Sequence, residues 1–252
     1  MSSRRRVALK AFALGIAITI LAPMALARSV DLQRDHGSAV DASVAKDATA
    51  IVSAPPNSRV PSGIVMRLAA WVAATADNGD LPFMIVDKLD ARIFAFNTRG
   101  DFLGSAPVLI GLARGDDAAP GIGVLKLSQI SADQRTTPAG RFMAKFGAAE
   151  GHGKVLWVDF RDGIALHPVM SVSAGEHRLE RIKSSDPEQH RISYGCINVP
   201  AAFYDDVLLS ALTGGGAVVY VLPDSKAVAE VFPVFAATIG GGHDGEPVLA
   251  DQ

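Results

Sequence analysis

The chain has one cysteine, Cys196, among its 252 residues. It therefore has no intramolecular disulfide and no zinc-knuckle spacing. A lone thiol is an intermolecular bridge, an inert buried group, a lipid attachment or a reactive centre. Lipidation is excluded by position, because a lipidated cysteine would directly follow an export leader. The base rate favours an inert buried thiol, so local context has to overturn it. Aromatic residues are also scarce, at 6%, with no aromatic ladder and no basic stripe, which leaves nucleic-acid binding without support. The 24 glycines form neither a dinucleotide fingerprint nor a P-loop, although Gly111, Gly115, Gly121 and Gly123 cluster in one stretch. Phosphate cradling is not indicated. No internal repeat is visible, and the length suits one globular domain with extensions.

Residues 1–27 have the layout of a secretory signal: Arg4, Arg5, Arg6 and Lys10, an apolar run, Pro23, then the small-x-small site Ala25-Leu26-Ala27. An uncleaved anchor is the rival, and either reading puts the remainder outside the cytoplasm, in the periplasm or cell envelope. Val7-Ala8 stands where a twin-arginine signal usually has Phe-Leu, so that route is weak. The leader holds four of the 24 basic residues and none of the 26 acidic ones, so the remainder carries 20 against 26, a net −6. A polyanionic partner is disfavoured.

Residues 28–61 are rich in Ala, Ser, Asp and Val with Pro55-Pro56 and read as a flexible tether. Residues 62–80 hold a helix, with Ser62 as cap, Ile64, Leu68, Trp71 and Val72 on one side, and Asn78-Gly79 closing it. Residues 81–225 form the main domain. Its short apolar or alternating runs at 83–87, 92–97, 103–111, 140–145, 154–159, 163–167 and 217–222 predict strands. Asn198 and Pro200 read as a helix start, with residues 201–212 as the body. Residues 226–252 read as a tail, with a short helix near 227–237 interrupted by Pro233. The fold class is mainly β with a few helices, α+β.

A thiol attacks an acyl group only as thiolate, which needs a base, a positive charge or a helix start nearby. Gly195 allows a tight turn before Cys196, the helix after Pro200 offers free N–H groups, and Arg191 is a candidate charge partner. Of the six histidines, His36 lies in the tether, His243 in the tail and His152 in a turn. His167 ends the apolar run Ile164-Ala165-Leu166, where a strand would bring an imidazole to a sheet rim. His177 and His190 lie in the charged stretch 176–191, which reads as a solvated helix and loop.

These residues resemble the L,D-transpeptidases of the YkuD type, whose signature is a strand-ending His followed by Ser/Thr-His-Gly-Cys, an apolar residue, and Asn or Arg. The match is His167, then Ser193, Gly195, Cys196, Ile197 and Asn198. It is supported by Thr137-Pro138-Ala139-Gly140-Arg141-Phe142 upstream and Val219-Tyr220-Val221-Leu222 downstream. The resemblance implies an L,D-transpeptidase-like β-sandwich or mixed-sheet domain in which Cys196 is the nucleophile and His167 its base. Gly195, Tyr194, Ser193, Asn198 and Arg191 would then hold the oxyanion or position substrate. It implies peptidoglycan stem peptides as substrate, a stem peptide, an envelope protein or water as acceptor, and no metal or organic cofactor. A carboxypeptidase and a non-catalytic envelope-binding module stay open. Tyr194 replaces the usual histidine, and 29 positions separate His167 from Cys196. His177, 19 positions before the cysteine, fits by count, and His167 by its strand-end position. A papain-like order would need a histidine after the cysteine, where only His243 stands, and a sortase would need a downstream arginine, of which there is none.

Overall fold

Side-chain alternation sorts the apolar residues onto two faces of one sheet. The computed structural model describes residues 61–151, 153–170 and 174–240. The leader, residues 28–60, His36, His152, His243 and the end of the tail lie outside the described residues. The long strands are β1 (Phe83–Asp87), β2 (Arg92–Phe96), β3 (Phe102–Pro107), β5 (Gly140–Ala149), β6 (Gly153–Asp159), β7 (Ile164–Pro168) and β10 (Gly216–Val221). Three short ones complete the set: β4 (Ile110–Gly111), β8 (Arg191–Ser193) and β9 (Ile197–Val199). Eight form one mixed sheet in the order β3-β2-β1-β10-β5-β6-β7-β9, and β4 pairs with β8 beside it. Within the large sheet β1 runs parallel to β10 and β7 parallel to β9, while the other neighbours are antiparallel. The domain is thus mainly β with few helices, as expected.

Every residue of β1 is buried, because both faces of the sheet are covered. Phe83 and Ile85 join Val65, Leu68 and Val72 of helix α1 (Gly63–Thr75) and Phe235 of the helix at Pro233–Gly240. Met84 and Val86 face the other way, toward Leu156, Leu166, Ile197 and the helical segment carrying Phe203, Tyr204 and Leu208. Burying a side chain the size of Phe83 or Phe235 contributes about 1.5–3 kcal/mol. Phe235 is buried beside α1. Hence the folded body runs past residue 225, where the tail was expected to begin, and includes the helix of residues 62–80.

Three local expectations change. The predicted strand 103–111 divides into β3 and β4. Ser62 stands at the N-cap of α1 as expected, but its side chain makes no capping bond, since the hydroxyl donates to Asp87 Oδ2 at 2.9 Å. β9 intervenes between Cys196 and the helical segment, so the thiol stands at one end of a three-residue strand and the helix starts beyond the other, ~10 Å of chain away. The thiol is therefore not at the helix N-terminus, and Asn198 is a strand residue rather than a cap.

Candidate active site

The register of two parallel strands sets the site. Leu166 pairs with Ile197, His167 with Asn198 and Pro168 with Val199. Leu166, Ile197 and Val199 belong to the core. By the two-residue period of a strand, His167 and Asn198 point to the opposite face, and Cys196, two before Asn198, joins them. All three line a cavity of about 660 Å³ with Ser193, Tyr194, Glu176 and Arg178. Its apolar wall includes Val155, Trp157, Phe160 and Ala165. Phe160 packs edge-on to Trp157, with ring centroids 5.0 Å apart.

A chain of hydrogen bonds runs across this cavity. His167 Nδ1 lies 2.9 Å from the Pro168 carbonyl, and its Nε2 lies 3.0 Å from Asn198 Nδ2. Arg178 Nη1 donates to Asn198 Oδ1 at 2.7 Å, and Arg178 Nε donates to Glu176 Oε2 at 2.6 Å. The Cys196 thiol lies 3.6 Å from the Gly163 carbonyl. Cys196 keeps part of its surface open, yet burial of the sulfur pushes its pKa above the ordinary thiol value. The Ala165 backbone and the positive charge of Arg178 pull it partly back.

The loop before the thiol is held from three sides. Gly195 has φ +123°, and a Cβ there would stand 2.6 Å from the Thr136 carbonyl oxygen and 2.7 Å from Ile164 Cδ1. Thr137 Oγ1 donates to the Gly195 carbonyl at 2.8 Å and accepts from the Gly111 N–H at 2.8 Å. Ser193 Oγ accepts from the Gly195 N–H at 3.0 Å and donates to the Cys196 carbonyl at 2.6 Å. Ser193 thus shapes the loop, and the Gly195 N–H is already engaged. Tyr194 faces the cavity, with the Arg135 guanidinium 4.0 Å from its ring centroid.

Arg191, expected to position substrate, does something else. Its Nη2 donates to Asp224 Oδ2 at 2.6 Å inside a buried cluster with Lys88 and Asp116, and it does not line the cavity. The arginine and the lysine pair with the two carboxylates, away from the thiol. His177 is exposed, 3.9 Å from Glu180, so the count that favoured it does not bring it to the cavity. His190 is buried between the Val108 and Ser184 carbonyls. Arg178 and Glu176 were hidden in the sequence, because both sit in a charged stretch that looks solvated throughout. Among the described residues no three His, Cys, Asp or Glu side chains group to hold a metal.

No family model matches the chain, and no curated protein is similar to it. Solved structures similar to it include L,D-transpeptidases. A cysteine-to-serine variant of the Enterococcus faecium L,D-transpeptidase aligns at 17% identity and TM-score 0.32, over 55% of this chain and 48% of that one. An L,D-transpeptidase from Stackebrandtia nassauensis aligns at 15% and 0.34, over 62% and 65%. The helical cell shape determining protein of Campylobacter jejuni aligns at 14% and 0.38, over 72% and 64%. The chain spans about half the length of the Enterococcus protein.

Proposed function

We propose that this protein is an exported cysteine acyltransferase that acts on peptidoglycan stem peptides through a thioester, as an L,D-transpeptidase does. The observation that carries this is the placement of Cys196, His167 and Asn198 on one face of β7 and β9, in one cavity, with His167 Nδ1 against the Pro168 carbonyl. That contact puts the ring proton on Nδ1 and leaves Nε2 as the basic nitrogen.

In the forward step the Asn198 amide releases His167 Nε2, to which it donates in the resting site, that nitrogen takes the Cys196 proton, and the sulfur attacks the amide carbonyl of a stem peptide. The C–N bond then breaks, and the departing amine takes the proton back from His167. With the Gly195 N–H engaged by Ser193, the oxyanion role expected of that loop passes to the Cys196 N–H. An amine from a second stem peptide or an envelope protein resolves the thioester to a cross-link or attachment, and water would give a carboxypeptidase.

A non-catalytic envelope-binding module is the second reading, and the thiol's upward shift is what favours it. Mass spectrometry separates the two. Incubation with a tetrapeptide stem or a carbapenem is expected to leave an acyl mass on Cys196 that a Cys196→Ala chain lacks. Binding of the stem without any adduct would establish the module instead.

A further inference from the structure

The proposed chemistry leaves the charged residues of the cavity, Arg178 among them, without a role. Arg178 lies on the short helix α2 (Arg178–Arg181), within the segment that joins β7 to β8, and its side chain is one-tenth exposed. Its guanidinium has donors and no acceptor, and it keeps its proton throughout the working range of a protein. Because Arg178 Nη1 donates to Asn198, the atom that receives it is the amide oxygen, Oδ1. The other end of that amide is then the NH₂ group, which faces His167 Nε2 at 3.0 Å. An NH₂ group only donates, so Nε2 accepts, and the ring proton resides on Nδ1 beside the Pro168 carbonyl at 2.9 Å. Glu176 Oε2 on Arg178 Nε holds the guanidinium in place, and the Arg181 Nε bond to the Glu176 carbonyl steadies the turn.

We infer that Arg178 is a positioning residue that keeps the proposed base neutral: by locking the orientation of the Asn198 amide it holds His167, whose Nδ1–H the Pro168 carbonyl already fixes, with Nε2 unprotonated. The inference deepens the acyltransferase reading and rests on its assignment of His167. It has a second side. An imidazolium at His167 would direct an Nε2–H at the Asn198 NH₂, a clash of donors that a freely turning amide would relieve by flipping. With Arg178 on Oδ1, a flip would set NH₂ against guanidinium. The resting site therefore favours neutral imidazole and neutral thiol over the separated ion pair, which agrees with the direction in which burial moves Cys196. Among the described residues, the other titratable or charged groups around the cavity are Glu150 from the β5–β6 turn, Glu176 beside Arg178, Tyr194 with Arg135 stacked on it, and Cys196 itself.

The test is imidazole ¹⁵N NMR on the full-length chain, with His167 assigned through a His167→Gln variant. Wild type is expected to show His167 as the Nδ1–H tautomer at neutral pH. Arg178→Gln frees the amide. It is expected to move the His167 signals toward the imidazolium, with Nδ1–H still on the Pro168 carbonyl and Nε2–H on the flipped amide oxygen, and, with the base already protonated, to slow acylation of Cys196 at neutral pH by on the order of 10²-fold. Arg178→Lys keeps a cationic donor and is expected to recover part of both effects. Asn198→Asp, in which the carboxylate accepts from either partner, is expected to raise the midpoint of His167 titration even with Arg178 present. The inference is overturned by an Nε2–H tautomer in wild type. It is overturned equally by unchanged His167 protonation in both Arg178→Gln and Asn198→Asp, or by a loss in Arg178→Gln confined to KM, which would make Arg178 a substrate contact. None of these results touches the acyltransferase reading, which falls only if wild type forms no adduct on Cys196.

Discussion

At Cys196 two opposing influences meet on one sulfur. Burial favours the neutral thiol, while the Ala165 backbone and the Arg178 charge favour thiolate, and burial prevails. A group whose pKa rises on folding contributes stability below its unfolded value, and that contribution is lost as pH climbs through the folded value. Two outcomes follow for the chain without substrate. Alkylation of Cys196 by iodoacetamide is expected to be slower in native than in urea-unfolded protein at the same mildly alkaline pH, and to keep climbing where the unfolded thiol has levelled off. Stability toward urea is expected to decline over that same alkaline window in wild type and to decline less in Cys196→Ala. A native alkylation rate that is level from neutral pH upward and exceeds the unfolded rate would mean that an ion pair already exists at rest. The sulfur would then be primed without substrate.

At the scale of the element, the loop between β8 and β9 is shaped by its surroundings more than by its own sequence. Gly195→Ala meets two penalties, the positive φ of +123° and a Cβ 2.6 Å from the Thr136 carbonyl oxygen. Gly215, at φ +86° with nothing within 4 Å of its added Cβ, meets only the first. Gly215→Ala is expected to cost about 1–2 kcal/mol, and Gly195→Ala about 1–3 kcal/mol more, measured by urea melts. Only Gly195→Ala is expected to abolish the Cys196 adduct, and equal stability losses with both adducts intact would refute the account. The same loop marks how far the sequence could be read. Residues 83–87 alternate between two apolar faces with turns on either side, and β1 falls on those residues. Ile197-Asn198-Val199 is too short to display a period, and the following Pro200 imitates a helix start, so β9 was invisible. Its partner Pro168 extends the expected run 163–167 by one residue. His167 was legible because an apolar run ends on it. Arg178 was not, because nothing local distinguishes it from exposed Arg-Glu neighbours, and its burial is decided by Asn198, twenty residues along the chain.

Across the whole molecule, one buried ionic cluster joins segments that the sheet alone leaves apart. Lys88 from the β1–β2 turn donates to Asp116 at 2.7 Å and lies 3.5 Å from Asp224, just after β10, while Arg191 of β8 holds the other oxygen of Asp224. The Asp116 carboxylate also accepts from the backbone N–H groups of Asp224, Ser225 and Lys226. Burial pushes both carboxyls up. Lys88 with these N–H groups outweighs it at Asp116, and Lys88, the Gly115 N–H and Arg191 outweigh it at Asp224, so both titrate below the usual carboxylate value. For a carboxyl depressed on folding, the stabilisation is complete above its unfolded pKa, about 3.9 for Asp, and is lost as pH falls through the folded value. Thermal stability of the wild type is therefore expected to hold from neutral pH down to about pH 4 and to drop below it. Lys88→Met removes the cation that both carboxylates share, and breaking a buried pair from one side typically costs about 3–5 kcal/mol. The variant is expected to lose stability on that order at neutral pH and to begin acid unfolding at a higher pH than wild type. Since Arg191 opens β8 and the Leu112 N–H bonds the Ser193 carbonyl one strand over, loosening the cluster also loosens the strand that leads into Cys196. Acylation of the variant at temperatures well below its melting point should fall before circular dichroism changes. If Lys88→Met instead melts at or above the wild-type temperature with acylation intact, the cluster contributes neither stability nor alignment, and β8 is positioned by its pairing with β4 alone.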